Sequence, residues 1–135
     1  MHRLFFAVNS LRMNIYQHEL MNHYRFPRNR GLLEQADFLS RDHNPSCGDS
    51  VTVSGRLSGN VLAAVGFEGV GCVISVATAS ILFDFCLGKT YDELTLLDRN
   101  TVMKLIGIEL GPTRLKCALL PLQALQQGLA AYQKK

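Results

Sequence analysis

The stretch Val51-Thr52-Val53-Ser54, the link Ser58-Gly59-Asn60, the run Val61 to Glu68 and the segment Gly69-Val70-Gly71-Cys72 leading into Val73 to Leu87 decide the fold. Val51 to Ser54 alternates apolar and polar side chains, the two-residue period of a half-buried strand. Val61 to Glu68 is a second strand, and the short glycine-bearing link between them predicts an antiparallel hairpin. Beyond Gly66-Phe67-Glu68-Gly69-Val70-Gly71 the period changes to that of a helix. Val73 to Leu87 carries Ile74, Thr78, Ile81, Leu82 and Phe85 on its inward face, and Gly88 supplies the C-terminal stop. Strands followed by helices, with no βαβ alternation, predict an α+β layer: a small antiparallel sheet of about three strands with helices packed on one face.

Working outward, Asn44-Pro45-Ser46-Cys47-Gly48-Asp49 concentrates turn-forming residues and predicts a tight loop feeding the first hairpin strand. Leu32 to Leu39 reads as an edge strand. A short helix over Ile15 to Tyr24 has Ile15, Leu20 and Tyr24 on one face and is stopped by Pro27. On the C-terminal side, helices are predicted over Tyr91 to Leu97 and Thr101 to Gly107, with a break at Gly111-Pro112. The last helix covers Ala118 to Tyr132. Pro121 fits it only in the first turn, which sets the helix start near Cys117.

Residues 1–12, MHRLFFAVNSLR, read as a leader or an upstream start, and residues 13–135 as one domain opened by Met13. The leader's apolar run, Leu4 to Val8, is too short for a membrane span. The chain has 135 residues, 47% of them apolar, enough for one core without disulfide staples. Fourteen Lys and Arg against 11 Asp and Glu leave a net charge of only +3, too weak a field for nucleic acid to be a partner. Hydrolase and nucleotide-binding readings lack their motifs: no G-x-x-x-x-G-K-[ST], G-x-S-x-G or His-Glu-x-x-His occurs. Four cysteines without a secretory leader predict a reducing compartment, the cytoplasm or an organellar matrix.

Three of those cysteines occupy similar positions. Cys47 lies in a turn before a strand, Cys72 follows Gly69 and Gly71 at a helix start, and Cys117 is expected at the start of the final helix beside Lys116. A thiol at a helix N-terminus faces unpaired N–H groups and the positive end of the macrodipole, which favours the thiolate, metal ligation and sulfur chemistry. Asp49, two residues after Cys47, projects to the same side of an extended segment and can supply an oxygen ligand. Cysteines packed for volume alone have no reason to sit beside glycines at element boundaries. Cys86 is the contrast: it lies inside the predicted helix, four residues after Leu82, and reads as core.

The spacing C-x-D-x22-C-x44-C contains no C-x-x-C pair, so it is no zinc-ribbon signal. The words around the cysteines are more specific: His43-Asn44-Pro45-Ser46-Cys47-Gly48-Asp49, Gly69-Val70-Gly71-Cys72-Val73-Ile74-Ser75 followed by the small residues Ala77 to Ser80, and Arg114-Leu115-Lys116-Cys117-Ala118-Leu119-Leu120. With Tyr24-x-x-Pro27-Arg28-Asn29-x-Gly31, they resemble the iron-sulfur cluster assembly scaffold family, the IscU, SufU and NifU-N-terminal-like proteins, from about Ile15 to Tyr132. The resemblance implies a SufE/NifU-like α+β domain that accepts persulfide sulfur from a cysteine desulfurase, assembles a [2Fe-2S] cluster and passes it to acceptor apo-proteins. It further implies Cys47, Asp49, Cys72 and Cys117 as ligands of the cluster or of Zn2+ at the same site, with Cys117 as the persulfide acceptor. Soft thiolates suit both iron-sulfur clusters and zinc, and one hard carboxylate makes a ligand labile, as release of cargo requires.

Two features depart from the IscU pattern. Lys116 replaces the histidine usual before the third cysteine, as in the SufU branch of zinc-dependent sulfurtransferases, yet the interval from Cys72 to Cys117 is shorter than that branch's. Leu110-Gly111-Pro112-Thr113-Arg114 stands where IscU proteins carry a chaperone-recognition stretch. His43 reads as a solvated loop residue, and His2, His18 and His23 as non-ligands. Arg25, Arg28 and Arg30 offer a docking surface for an acidic partner against a default of plain solvation. A cluster scaffold, a zinc-dependent persulfide relay and an interaction domain with structural zinc are the three readings, with a homodimer left open.

Overall fold

The computed structural model describes residues 15–46 and 48–133. Three strands, β1 (Phe38–Asn44), β2 (Asp49–Ser58) and β3 (Val61–Val70), form one antiparallel sheet in the order β1-β2-β3. The predicted hairpin is β2–β3: Ser58 faces Val61, and Gly59, at φ +62°, makes the turn with Asn60. Helix α1 covers residues 15–25 of the described chain. After β3 come α2 (Val73–Cys86), α3 (Tyr91–Thr95), α4 (Arg99–Ile106) and α5 (Pro112–Gln133).

The register explains why the helices collect on one face. Val53 lies opposite Phe67, and Val51 opposite Gly69, so alternate residues of β2 and β3 form a single apolar surface. Val51, Val53 and Phe67 on it are buried under α2 and α5. Phe67 meets Phe83 of α2 edge to face at 5.6 Å between ring centroids. Helix α5 lies across β1 and β2, where Gly128 leaves the space taken by the Phe38 ring and the Ser40 side chain. Asp49, two residues before Val51, points to this helical side at the end of the sheet.

Several local expectations are corrected. The edge strand is Phe38–Asn44 and not residues 32–39, because the chain before it crosses behind the sheet and its backbone groups bond elsewhere. Gly31 N–H donates to the Phe67 carbonyl, Leu33 N–H to Ser54 Oγ and Asp37 N–H to the Gly55 carbonyl. His43 consequently belongs to β1, although it is exposed as a solvated residue would be. On α1 only Leu20 is buried; Ile15 and Tyr24 face solvent, since one turn of a short helix suffices to anchor it on the core. On α2, Phe83 is fully buried, whereas Ile81 and Phe85 are only partly covered.

The largest correction concerns α5. It starts at Pro112, a residue suited to the first helical position, so Cys117 is the sixth residue of the helix and Pro121 lies in its interior. Neither sits in the first turn. Helix α4 ends as its sequence predicts, on a left-handed Gly107 at φ +67° whose open side is covered by the Tyr16 ring. The proposed leader, residues 1–12, and Met13 lie outside the described residues, as does Cys47.

Candidate metal centre

Three elements deliver one side chain each to the end of the sheet where β2 begins. Asp49 is the first residue of β2, Cys72 is the N-cap of α2, and Cys117 comes from the second turn of α5. One carboxylate oxygen and the two sulfurs all lie within 4.8 Å of one another. Asp49 and Cys117 are buried at 2% and 3% exposure, while Cys72 is partly exposed, so the group opens to solvent on the Cys72 side.

Hydrogen bonds hold the carboxylate in place. Cys72 N–H donates to Asp49 Oδ1 at 3.0 Å, and the Cys72 thiol to Oδ2 at 3.1 Å. Ser75, in the first turn of α2, donates its hydroxyl to Oδ2 at 2.6 Å. Burial alone would raise the Asp49 pKa, but the donors Ser75, Cys72 and Cys117, together with the Cys72 N–H, outweigh it and bring the carboxyl down to about 2. The anion also sits at the N-terminal end of α2, where the helix dipole favours negative charge.

Gly71 makes this arrangement possible. Its φ of +131° is a conformation L side chains rarely adopt, and a Cβ there would overlap the Asp49 carboxylate. The glycine beside Cys72 therefore has a definite structural effect: it leaves room for a carboxylate next to a thiol. One carboxylate and two thiols, converging in a cradle that any larger residue would fill, fit a thiophilic cation or an iron-sulfur cluster.

The remaining residues singled out in the sequence fall elsewhere. Cys47 lies outside the described residues; its chain neighbour Gly48 has φ +76° and donates its N–H to the Asn44 carbonyl at 2.9 Å. Lys116 is exposed on α5 and His43 is exposed on β1, and neither joins the convergent group. His23 instead has Nδ1 at 2.7 Å from Ser80 Oγ, and burial, aided by Arg28, lowers its pKa. Arg28 pairs with Asp84 at 2.9 Å and Arg30 approaches Glu68 at 4.0 Å, both on exposed surface. Cys86 is fully buried in α2, and burial pushes its thiol up to about 12, as a core cysteine requires.

Ser75 is the residue that sequence reasoning missed. The available signal was its position: three residues after Cys72, it shares that cysteine's helix face, and it is a hydroxyl among Val73, Ile74, Val76 and Ala77.

A three-stranded antiparallel sheet, helices on one face and an Asp-Cys-Cys group at its end define a small thiol-bearing α+β domain. The chain belongs to the NifU-like N terminal domain family, whose model matches residues 15–135. It is 33% identical over 135 aligned residues to the zinc-dependent sulfurtransferase SufU of Bacillus subtilis, covering 86% of this chain and 90% of the relative. It is 30% identical over 121 residues to the iron-sulfur cluster assembly scaffold protein IscU 1 of Archaeoglobus fulgidus, covering 90% of this chain and 78% of that protein. Among solved structures, a protein described as an iron-sulfur cluster assembly scaffold for the SUF system of Fervidobacterium islandicum superposes with a TM-score of 0.71 at 29% identity, covering 82% of this chain and 93% of that one. The family thus includes proteins named as cluster scaffolds and one named as a zinc sulfurtransferase. Among the described residues no helix is long and apolar enough to cross a membrane.

Proposed function

We propose that this chain is an iron-sulfur cluster assembly scaffold: it takes sulfur from a cysteine desulfurase, assembles a [2Fe-2S] cluster on Cys47, Asp49, Cys72 and Cys117, and passes it to acceptor apo-proteins. The observation that carries this reading is the meeting of Asp49, Cys72 and Cys117 within 4.8 Å, from three separate elements. Sulfur enters when the Cys117 thiolate attacks the outer sulfur of the desulfurase persulfide. A new S–S bond forms at Cys117, the partner's S–S bond breaks, and the partner's cysteine leaves as thiolate. Because Cys117 is only 3% exposed, this step requires a partner to open the site. Reduction of the transferred sulfur to sulfide draws its electrons from an external thiol. Asp49 is the hard, exchangeable ligand among soft ones and is the place where release begins.

Anaerobic incubation with iron, a sulfide source and thiol tests the proposal. A [2Fe-2S] chromophore is expected with the wild type and not with Cys72→Ala; a wild type that stays colourless refutes it.

The second reading is a zinc-dependent persulfide relay. Lys116 before Cys117 and the likeness to the Bacillus subtilis sulfurtransferase favour it. Here Zn2+ would be held by the same residues and would keep the thiols deprotonated. Stoichiometric zinc in the purified protein, stimulation of a desulfurase and failure to form the chromophore would select this reading. Zinc that raises the melting temperature without any stimulation would select a structural role instead.

A further inference from the structure

Ser75 touches the site through all three of its described members. Its Oγ lies 2.6 Å from Asp49 Oδ2, 3.6 Å from Cys72 Sγ and 3.4 Å from the Cys117 carbonyl oxygen. It is fully buried on a helix whose neighbouring positions are apolar, where a hydroxyl costs stability unless its hydrogen bond is made. The contact to Cys117 has a cause in α5. A helical carbonyl normally accepts from the N–H four residues later, and four residues after Cys117 stands Pro121, which has no N–H to give. Pro121 therefore gives that carbonyl no N–H, and Ser75 Oγ stands 3.4 Å from it. A hydroxyl has one proton, and the 2.6 Å geometry assigns it to the Asp49 carboxylate over the 3.4 Å carbonyl.

We propose that Ser75 is the positioning residue of this site: by donating to Asp49 Oδ2 from the first turn of α2, it fixes the carboxylate in register with the Cys72 and Cys117 sulfurs. The inference rests on the reading of these residues as ligands and extends it to a residue that is no ligand itself. Ser75 acts through Asp49. Groups that hydrogen-bond a ligating carboxylate typically affect metal affinity by about 10- to 100-fold.

The test uses the full chain and two metals. Zinc affinity is measured by competition with a chromophoric chelator, and Co2+ is added as a spectroscopic probe of sulfur ligation. Ser75→Ala is expected to keep the sulfur-to-cobalt charge-transfer band, since the thiols remain, and to weaken zinc binding at least about tenfold. Ser75→Thr, which retains the hydroxyl, is expected to bind zinc more tightly than Ser75→Ala. In an Asp49→Ala background, Ser75→Ala is expected to add no further loss, because the group it positions is gone. Zinc affinity of Ser75→Ala within twofold of wild type overturns the proposal. So does an equal loss in the Asp49→Ala background, or a Ser75→Thr no better than Ser75→Ala. A wild type that shows no sulfur-to-cobalt band overturns the ligand reading itself, a result separate from any of these.

Discussion

The two ends of α2 each carry a cysteine, fourteen residues apart, and the helix treats them in opposite ways. Cys72, at the N-terminus, is partly exposed, and its thiol and N–H both reach a carboxylate. Cys86, in the last turn, is fully buried, and its thiol is held protonated up to about 12. Residue type is the same, so the difference comes from surroundings. The N-terminal end offers unpaired N–H groups, a neighbouring glycine and a bound carboxylate; the C-terminal end is closed by apolar packing. Of the two cysteines of this helix, only the one at its open N-terminal end meets the carboxylate.

The comparison can be broken most directly at its reactive end. Cys72→Ala is expected to abolish cluster or stoichiometric zinc binding, measured by absorption and metal analysis, while the fold persists by circular dichroism. Full metal retention would show that the N-terminal end is not special. Gly71→Ala should come next in size. It forces a side chain into the Asp49 carboxylate at φ +131°, and a strained backbone of this kind costs on the order of 1–3 kcal/mol. Loss of metal together with a lower denaturation midpoint is the expected outcome, and a neutral substitution would remove the cradle from the account.

Asp49→Ala sharpens the comparison by separating binding from release. Without its exchangeable oxygen ligand, a bound cluster is expected to pass to an acceptor several-fold more slowly, and equal transfer rates for variant and wild type would count against that role. The smallest effect is expected at the opposite end of the helix. Cys86→Ala should leave metal stoichiometry unchanged and lower stability by about 1 kcal/mol, read from denaturant unfolding. Its pH signature has a definite sign. The buried thiol ionises less readily in the folded than in the unfolded chain, so its contribution is intact below about pH 9 and is lost as pH rises towards about 12. Stability measured across that window should fall less steeply in Cys86→Ala than in the wild type.

Much of the site was legible before any coordinates because its residues carry local signatures. Cys72 follows two glycines and precedes an unbroken apolar helix, which marks a helix N-terminus. Asp49 opens an alternating strand, which puts its side chain on the same face as Val51. The core status of Cys86 follows from its place on that same apolar helix. Cys117 was legible as a candidate that meets Asp49 and Cys72, but not in its position within the helix: Pro121 suggests a first turn, and only the packing of α5 along β1 and β2 shows why the helix continues back to Pro112. Residues 32–37 misled for a related reason. Their apolar content suits a strand, but they run no ladder of their own: Leu33 N–H bonds the Ser54 side chain, and only Asp37 N–H reaches the backbone of β2, at Gly55.

The amino-acid sequence by itself determined the hairpin, the helix that follows it and the place of Cys72 at that helix's start, because turn chemistry and hydrophobic period act over a few residues. Tertiary structure alone decided that Asp49, Cys72 and Cys117 meet, that Gly71 yields its side-chain space to a carboxylate, and that Ser75 joins them by donating its hydroxyl to Asp49. Those contacts span 22 to 68 residues of chain, from Gly71 back to Asp49 and from Cys117 back to Asp49, and such distances are closed only by packing helices on a sheet.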